Sequence, residues 1–391
     1  MRRLLSFVLL IGWLLSVQPL KAQQPCPTFS IRVGSEEDQM VMAINGADTP
    51  QEQLAALDNY AKAHADSSFM PCVNEYYVTI YLKLNNYDKA IEYGDKDLAS
   101  NYHSLNLILN LLRAYVASGK VSDAVLDAIM KVPDQIKAET NTSKPEKVSA
   151  AEWEKVQKEQ AEQAENNIGY AVYSFFQLLP RVTDPNKRIS SLETFTKTYP
   201  DAETKYAGQI AFAYYEAYYL AGNLEKTIEY GEKTIAADPS NLYACNGVAY
   251  IYGVIARTNL DKASEYAKKA LDLAQALKKP EGVSDADFKK AQDTQLGQAH
   301  LTIGVVEFIK AGKTHKVAPV IQELKTAADL LEVSPGLQEE ALFYLGNAYE
   351  FEIPAKHRDA IEALTKASNL PGRYQEQSKD LLGKVKRAAR E

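Results

Sequence analysis

The sequence is poor in the residues that build metal centres and nucleophilic sites: its 391 residues include three cysteines and five histidines. Cys26, Cys72 and Cys245 are too few for a disulfide framework in a chain of this size. One bridge stays open, Cys26 to Cys72, because both lie near the start; the alternative makes Cys72 and Cys245 small buried hydrophobes on helices. His64, His103, His300, His315 and His357 are isolated from one another and from the cysteines, which removes every metal signature of fixed spacing. His-Glu-x-x-His, Cys-x-x-Cys and Gly-x-Ser-x-Gly are all missing. Glycines such as Gly304 and Gly346 stand singly in helical stretches, so no phosphate-cradling loop exists. The expectation is a chain with no catalytic residue, no cofactor and no metal. The alternative is an enzyme or small-ligand receptor whose pocket gathers distant side chains.

A surplus of positive charge is missing too. Lys and Arg number 44 against 51 Asp and Glu, for a net charge of -7, which excludes the basic footprint that nucleic acid or an anionic membrane surface demands. Long apolar runs are confined to the start, where Arg2 and Arg3 precede Leu4 to Val17 and a short segment ending Leu20-Lys21-Ala22. Fourteen residues make about 21 Å of helix, short of the roughly 30 Å of bilayer hydrocarbon, so residues 1–22 read as a secretory signal cleaved after Ala22. An uncleaved anchor is the alternative. The expectation is export to a periplasmic or secreted location, with no membrane span after cleavage. Hydrophobic residues at 46% and charged ones at 24% suffice for a core.

What the sequence does have is a period. Tyr81, Asn85, Tyr87 and Ala90 recur 34 positions on as Tyr115, Gly119, Val121 and Ala124, and the set returns as Tyr218, Gly222, Leu224 and Thr227. Apolar residues recur three and four apart within each copy and no stretch alternates, so every copy reads as helix. Thr49-Pro50-Gln51-Glu52 and Ser149-Ala150-Ala151-Glu152 are capping boxes. Pro200, Pro239 and Pro335 are expected to end second helices.

These residues resemble the tetratricopeptide repeat (TPR) family. The copy from Ala341 to Pro371 carries the resemblance best, through Leu345, Gly346 and Tyr349 on its first helix and Ala360, Leu364 and Ala367 on its second. The resemblance implies an all-α fold, a right-handed superhelical solenoid of antiparallel helical hairpins, in which one hairpin cannot bury its apolar face alone and several stack. Small residues at the helix crossings let the two helices of a hairpin approach. The resemblance also implies a groove lined by first helices. Mapped onto this chain, its positions are Asn106 and Arg113; Phe212, Glu216 and Tyr219; Asn241, Val248 and Tyr252; Gln298, Val305 and Phe308; and Phe343, Asn347, Glu350 and Phe351. A groove rich in aromatics suits a peptide or a partner helix. The family's basic clamp for a partner's terminal carboxylate is not matched as a set.

The organisation expected is a signal (1–22), an extension (23–48), repeats (49–137), a charged linker leading into a long helix (138–167), repeats (168–277), a polar loop (278–293), and terminal repeats with a basic cap at Lys384 to Arg390 (294–391). About four extra residues precede Leu260, and Pro319 is expected to interrupt a second helix. The function expected is that of an exported, non-catalytic scaffold whose partner is a protein or peptide. Homo-oligomerisation through the end repeats is a further alternative.

Overall fold

The computed structural model describes residues 31–67, 69–99, 104–140, 143–312 and 316–390. The expected signal, the first part of the extension, Cys26, His103 and His315 lie outside the described residues. The described chain forms two compact units, one ending at Thr204 and the other spanning Lys205–Glu391. Among the described residues there is no strand.

The amino-terminal unit contains α1 (Glu36–Gly46), α2 (Pro50–Ala63), α3 (Met70–Lys83), α4 (Tyr87–Leu98), α5 (Leu105–Ser118), α6 (Asp123–Thr140), α7 (Ala150–Leu178) and α8 (Pro185–Thr198). A four-residue turn, α9 (Ala202–Lys205), spans the boundary. The carboxyl-terminal unit contains α10 (Ala207–Leu220), α11 (Leu224–Ala237), α12 (Leu242–Tyr250), α13 (Leu260–Gln275), α14 (Asp285–Ala311), α15 (Ala318–Leu330), α16 (Pro335–Phe351), α17 (His357–Asn369) and α18 (Gln375–Ala388). Consecutive helices pair as hairpins, and each hairpin packs on the next within its unit.

Local chemistry sets the ends. Thr49 accepts from the Glu52 N–H while Glu52 accepts from the Thr49 N–H, and Ser149 with Glu152 does the same, so both expected capping boxes form. The period has its cause at the hairpin turn. Asn85, Gly119 and Gly222, the aligned positions, all adopt positive φ (55°, 75° and 73°), and the carbonyls of Tyr81, Tyr115 and Tyr218 accept the bonds that close the first helices. Packing follows from small residues at crossings. A Cβ on Gly94 would stand 2.5 Å from Leu111 Cδ1, so α4 lies directly on α5. On α5 the fully buried Leu107, Ile108, Leu111 and Leu112 each contribute roughly 1.5–3 kcal/mol of burial.

One module occurs in both units, 137 positions apart. In the first copy Tyr77, Tyr81 and Tyr93 stack with centroids 4.2–6.1 Å apart; in the second Tyr214, Tyr218 and Tyr230 stack at 4.6–6.0 Å. Lys96 lies 4.6 Å from the Tyr93 ring and Lys233 4.4 Å from the Tyr230 ring. The Lys89–Glu92–Lys96 ion pairs recur as Lys226–Glu229–Lys233. Tyr115 donates to Asp95 at 2.8 Å, and Tyr252 donates to Glu232 at 3.0 Å. The caps Ser104 and Asn241 correspond in the same register.

The copies part where α12 ends. Residues Ile251–Ala256 form a π-helical turn and Arg257 takes positive φ, one position later than the register of Gly119 predicts. The extra residues expected before Leu260 are thus absorbed partly by widening the helix. Other boundaries differ from expectation. Residues 285–293 of the expected polar loop belong to the 27-residue α14, leaving a short connection before Ser284 caps it. Pro319 sits in the first turn of α15, where a missing N–H costs nothing, and does not interrupt it. Pro335 likewise opens α16 instead of ending α15, whereas Pro200 and Pro239 do follow helix ends. The expected linker at 138–167 is mostly helical, the last residues of α6 and the first turns of α7.

Candidate interaction surface

In the amino-terminal unit a chain of polar groups runs along one face of α3 and α5. Glu75, fully buried, accepts from Ser104 Oγ and from Asn106 Nδ2, both at 2.8 Å. Asn110 Nδ2 reaches Asn106 Oδ1 and Thr79 Oγ1, each at 3.4 Å, and Arg113 donates to Asn110 Oδ1 at 3.2 Å. The exposed Arg113 guanidinium lies 5.9 Å from the centre of the Tyr170 ring on α7. Burial pushes the Glu75 carboxyl up to about 7 against its two donors, and the charges of Asp97 and Glu139 push the same way. Tyr173, one turn beyond Tyr170, is 49% exposed.

In the carboxyl-terminal unit the equivalent face is aromatic. Phe212 and Tyr219 stack on either side of Tyr215 along α10, at 5.8 Å and 6.4 Å between centroids. Tyr215 is buried, and its hydroxyl donates to the Tyr243 carbonyl of α12 at 3.2 Å. A Cβ on Gly247 would collide with that hydroxyl, so glycine at this position permits the contact. Glu216 lies one helical turn from both Phe212 and Tyr219. Burial raises the Tyr243 hydroxyl above its ordinary value, and the Glu216 charge adds to the rise.

The groove positions implied by the family resemblance scatter. Asn106 and Arg113 fall in the polar chain, and Phe212, Glu216 and Tyr219 share one face of α10. Tyr252, Val248 and Val305 are core residues at 6%, 0% and 0% exposure. Asn241 spends its side chain capping α12, accepting from the Ala244 N–H at 3.0 Å. Phe308 meets Phe351 edge-on at 5.7 Å, and Phe343 lies flat on Tyr374 at 4.4 Å, so these rings pack on one another. Asn347 donates to the Phe343 carbonyl at 2.8 Å, Glu350 pairs with His357 at 2.8 Å, and Gln298 is half-buried on α14. Of the aromatics named for the groove, Tyr219 alone is exposed, at 49%. Glu75, Asn110, Tyr170 and Tyr243 were not anticipated. The four-residue spacing of Asn106 and Asn110 was the available signal for the polar chain.

Elsewhere the polar groups serve packing. His300 pairs with Glu323 at 2.6 Å. Glu340, 5% exposed, accepts from Tyr250 at 2.7 Å and pairs with Arg373 at 2.9 Å. Arg257 donates to Tyr344, which shares a hydrogen bond with Tyr374. A shallow cleft of about 450 Å³ in the amino-terminal unit is lined by Asp123, Arg181, Asp184 and Lys187, none of them in the polar chain. Cys72 is disulfide-bonded, while Cys245 is a buried free thiol.

No family model and no curated protein matches the sequence. Among solved structures the chain is similar to the C-terminal part of a TPR repeat-containing protein from Cytophaga hutchinsonii, at 17% identity and a TM-score of 0.36, over 78% of this chain and 97% of that one. It is also similar to yeast Tom70, at 12% identity and a TM-score of 0.29, over 90% of this chain and 95% of that one. The repeated helical hairpins and their close crossings define the fold.

Proposed function

We propose that this chain of TPR-like hairpins is an exported, non-catalytic scaffold that binds an extended segment of a protein partner. The observation that carries the reading is the polar chain on α3 and α5. The half-buried Asn106 amide offers a donor and an acceptor, the complement of a peptide backbone, while Asn110, 6% exposed, supports it from beneath at 3.4 Å. Arg113, exposed at the end of the chain beside Tyr170, adds a planar cation over an aromatic ring. Export is supported by the composition of residues 1–22 and by the disulfide at Cys72, a bond that oxidising compartments sustain.

Peptide selection against the immobilised full chain tests the binding half. Selected peptides are expected to lose about tenfold in affinity to Asn106→Ala or Arg113→Ala, on the scale of one or two lost hydrogen bonds. Selection that yields no peptide, or peptides indifferent to both variants, overturns the reading. Sequencing the amino terminus of the protein recovered from native cells tests export, with a start at Gln23 expected and a start at Met1 in the cytosol contradicting it.

A further inference from the structure

At the turns after α3, α5 and α10 the positive φ falls on Asn85, Gly119 and Gly222; after α12 it falls on Arg257, at 53°. A long side chain is strained in that region, which glycine enters freely and asparagine tolerates. The backbone is pinned there all the same. The Tyr252 carbonyl accepts the Arg257 N–H as the π-helical turn ends, and the Thr258 N–H at 2.9 Å. Strain of this kind persists only where the surroundings hold it, and it gathers at binding sites.

The residue so placed is exposed, yet its guanidinium is fixed. Arg257 Nη2 donates to the Tyr344 hydroxyl at 2.7 Å and reaches the Tyr374 hydroxyl at 3.5 Å. Tyr374 is itself clamped: its ring lies flat on Phe343 at 4.4 Å, the Arg373 guanidinium stands 4.8 Å from its centre, and its backbone N–H donates to the buried Glu339 at 3.3 Å. Tyr344, 4% exposed, accepts from Arg257 and so directs its own hydrogen to Tyr374, 3.0 Å away. The Tyr374 hydrogen is then left without an acceptor among the described residues. Arg257 also lacks an acid. Both oxygens of Glu340 are occupied, by Tyr250 at 2.7 Å and Arg373 at 2.9 Å, and Nε and Nη1 of Arg257 have no partner among the described residues.

We infer that Arg257 and the Tyr374 hydroxyl form a binding site for the carboxylate of an aspartate or glutamate side chain of a protein partner. The guanidinium supplies the charge and three open N–H donors, and the hydroxyl supplies a further donor 3.5 Å from it. A side chain suits the site better than a chain end because the turn is open. Ala256, Arg257, Thr258 and Asn259 are all exposed, so partner backbone can continue on both sides. The site lies on a turn, outside the first-helix positions that the family resemblance implies. It goes beyond the groove proposed for the amino-terminal unit and rests on that reading only in assigning the carboxylate to a protein.

The test uses the full chain and three probes: N-acetylglutamate methylamide, its neutral counterpart N-acetylglutamine methylamide, and N-acetylalanine as a chain-end carboxylate. Binding is followed by ring chemical shifts of labelled tyrosine, with Tyr344→Phe and Tyr374→Phe supplying the assignments. At low salt the glutamate probe is expected to shift the Tyr374 ring and to bind about fivefold more tightly than the glutamine probe, the scale of an exposed charge pair. Arg257→Gly, which also relieves the positive φ, is expected to erase that ratio while leaving glutamine-probe binding unchanged. Tyr374→Phe keeps the ring between Phe343 and Arg373 and is expected to lower the ratio about twofold, read from the Tyr344 ring. Equal binding of the glutamate and glutamine probes, a preference that survives Arg257→Gly, or a ratio untouched by Tyr374→Phe overturns the inference. Tighter binding of N-acetylalanine overturns the assignment to a side chain. The groove reading fails separately: a glutamate probe that binds as expected, while selected peptides are indifferent to Asn106→Ala and Arg113→Ala, supports this site and sinks the groove.

Discussion

Leu364 of α17 fills the space that a Cβ on Gly346 of α16 would need, its Cγ 2.5 Å from that point. Both residues are buried, so nothing nearby can yield to a larger side chain. Gly346→Ala is therefore expected to destabilise the chain by about 1–3 kcal/mol through overpacking, despite alanine's better helix propensity. Gly169, in the interior of α7, is the internal control, because a Cβ there meets nothing within 4 Å. Gly169→Ala is expected to stabilise by about 0.5–1 kcal/mol. Denaturant midpoints of the two variants, moving in opposite directions, would establish that contact at the crossing, and not helix propensity, decides the residue. A shift of the same sign in both would refute it.

Glu75 makes the stability of the chain depend on pH. Its carboxyl is raised by burial from the ordinary range to about 7, so the folded state holds a proton that the unfolded state releases near pH 4.5. Its contribution is fully favourable below the unfolded value and is lost as pH rises through about 7. Glu75→Gln keeps an acceptor for Ser104 and Asn106 and removes the charge. The variant is expected to unfold with a flatter pH profile between about 4.5 and 7, and to gain on the order of 2–3 kcal/mol over the parent at pH 8. Chemical denaturation at pH 5 and pH 8 measures the difference; parallel profiles for variant and parent would exclude Glu75 as the source.

The hairpins were legible in the sequence because the period is written where the chain has least freedom. Asn85, Gly119 and Gly222 share a positive φ that few residues tolerate, and Ala360, Leu364 and Ala367 share complete burial. The face used by each first helix was much less legible. Position within a repeat does not say whether the next hairpin covers a residue, which is why Tyr252 proved to be buried against Glu232 and Phe343 flattened against Tyr374. Asn241 was misplaced for a local reason, since its side chain satisfies an orphan N–H at the start of α12 before it can face a partner. The cationic end of the polar chain was visible in Arg113, but its support by Tyr170 joins residues far apart in sequence.

Cys245 gives a direct reading of the helical core. It is fully buried on α12, and burial pushes its thiol above the ordinary range, so both access and ionisation oppose reaction. With Cys72 held in a disulfide, native protein purified without reductant is expected to show no thiol reactive toward Ellman's reagent. One thiol per chain should appear on unfolding in guanidinium. A reactive thiol in the native protein would mean that α12 opens or that Cys72 is reduced, and mass analysis of the labelled peptide would say which.

The paired ties Tyr115 to Asp95 and Tyr252 to Glu232 test whether the duplicated module is energetic as well as geometric. In each copy a tyrosine on a first helix donates to an acid on the preceding second helix, at 2.8 Å and 3.0 Å, and joins two successive hairpins. The rings differ little in burial, at 2% and 6% exposure, so removing the hydroxyl alone should leave packing intact. A hydrogen bond to a charged acceptor is worth about 1.5–3 kcal/mol. Tyr115→Phe and Tyr252→Phe are each expected to cost an amount in that range, with the first toward the upper end because its hydroxyl also meets Ser122 at 2.8 Å. Asp95→Asn should recover part of the loss when combined with Tyr115→Phe, since the half-buried Asp95 is left without that donor, whereas Glu232→Gln should recover less beside Tyr252→Phe, because Glu232 is 32% exposed and keeps Lys262 at 2.6 Å. Double-mutant cycles in urea measure both couplings. Couplings of similar size would mean that the hairpins of both units are fastened by the same contact, and a coupling near zero in either copy would mean that packing at the crossing, not the tie, joins the hairpins there.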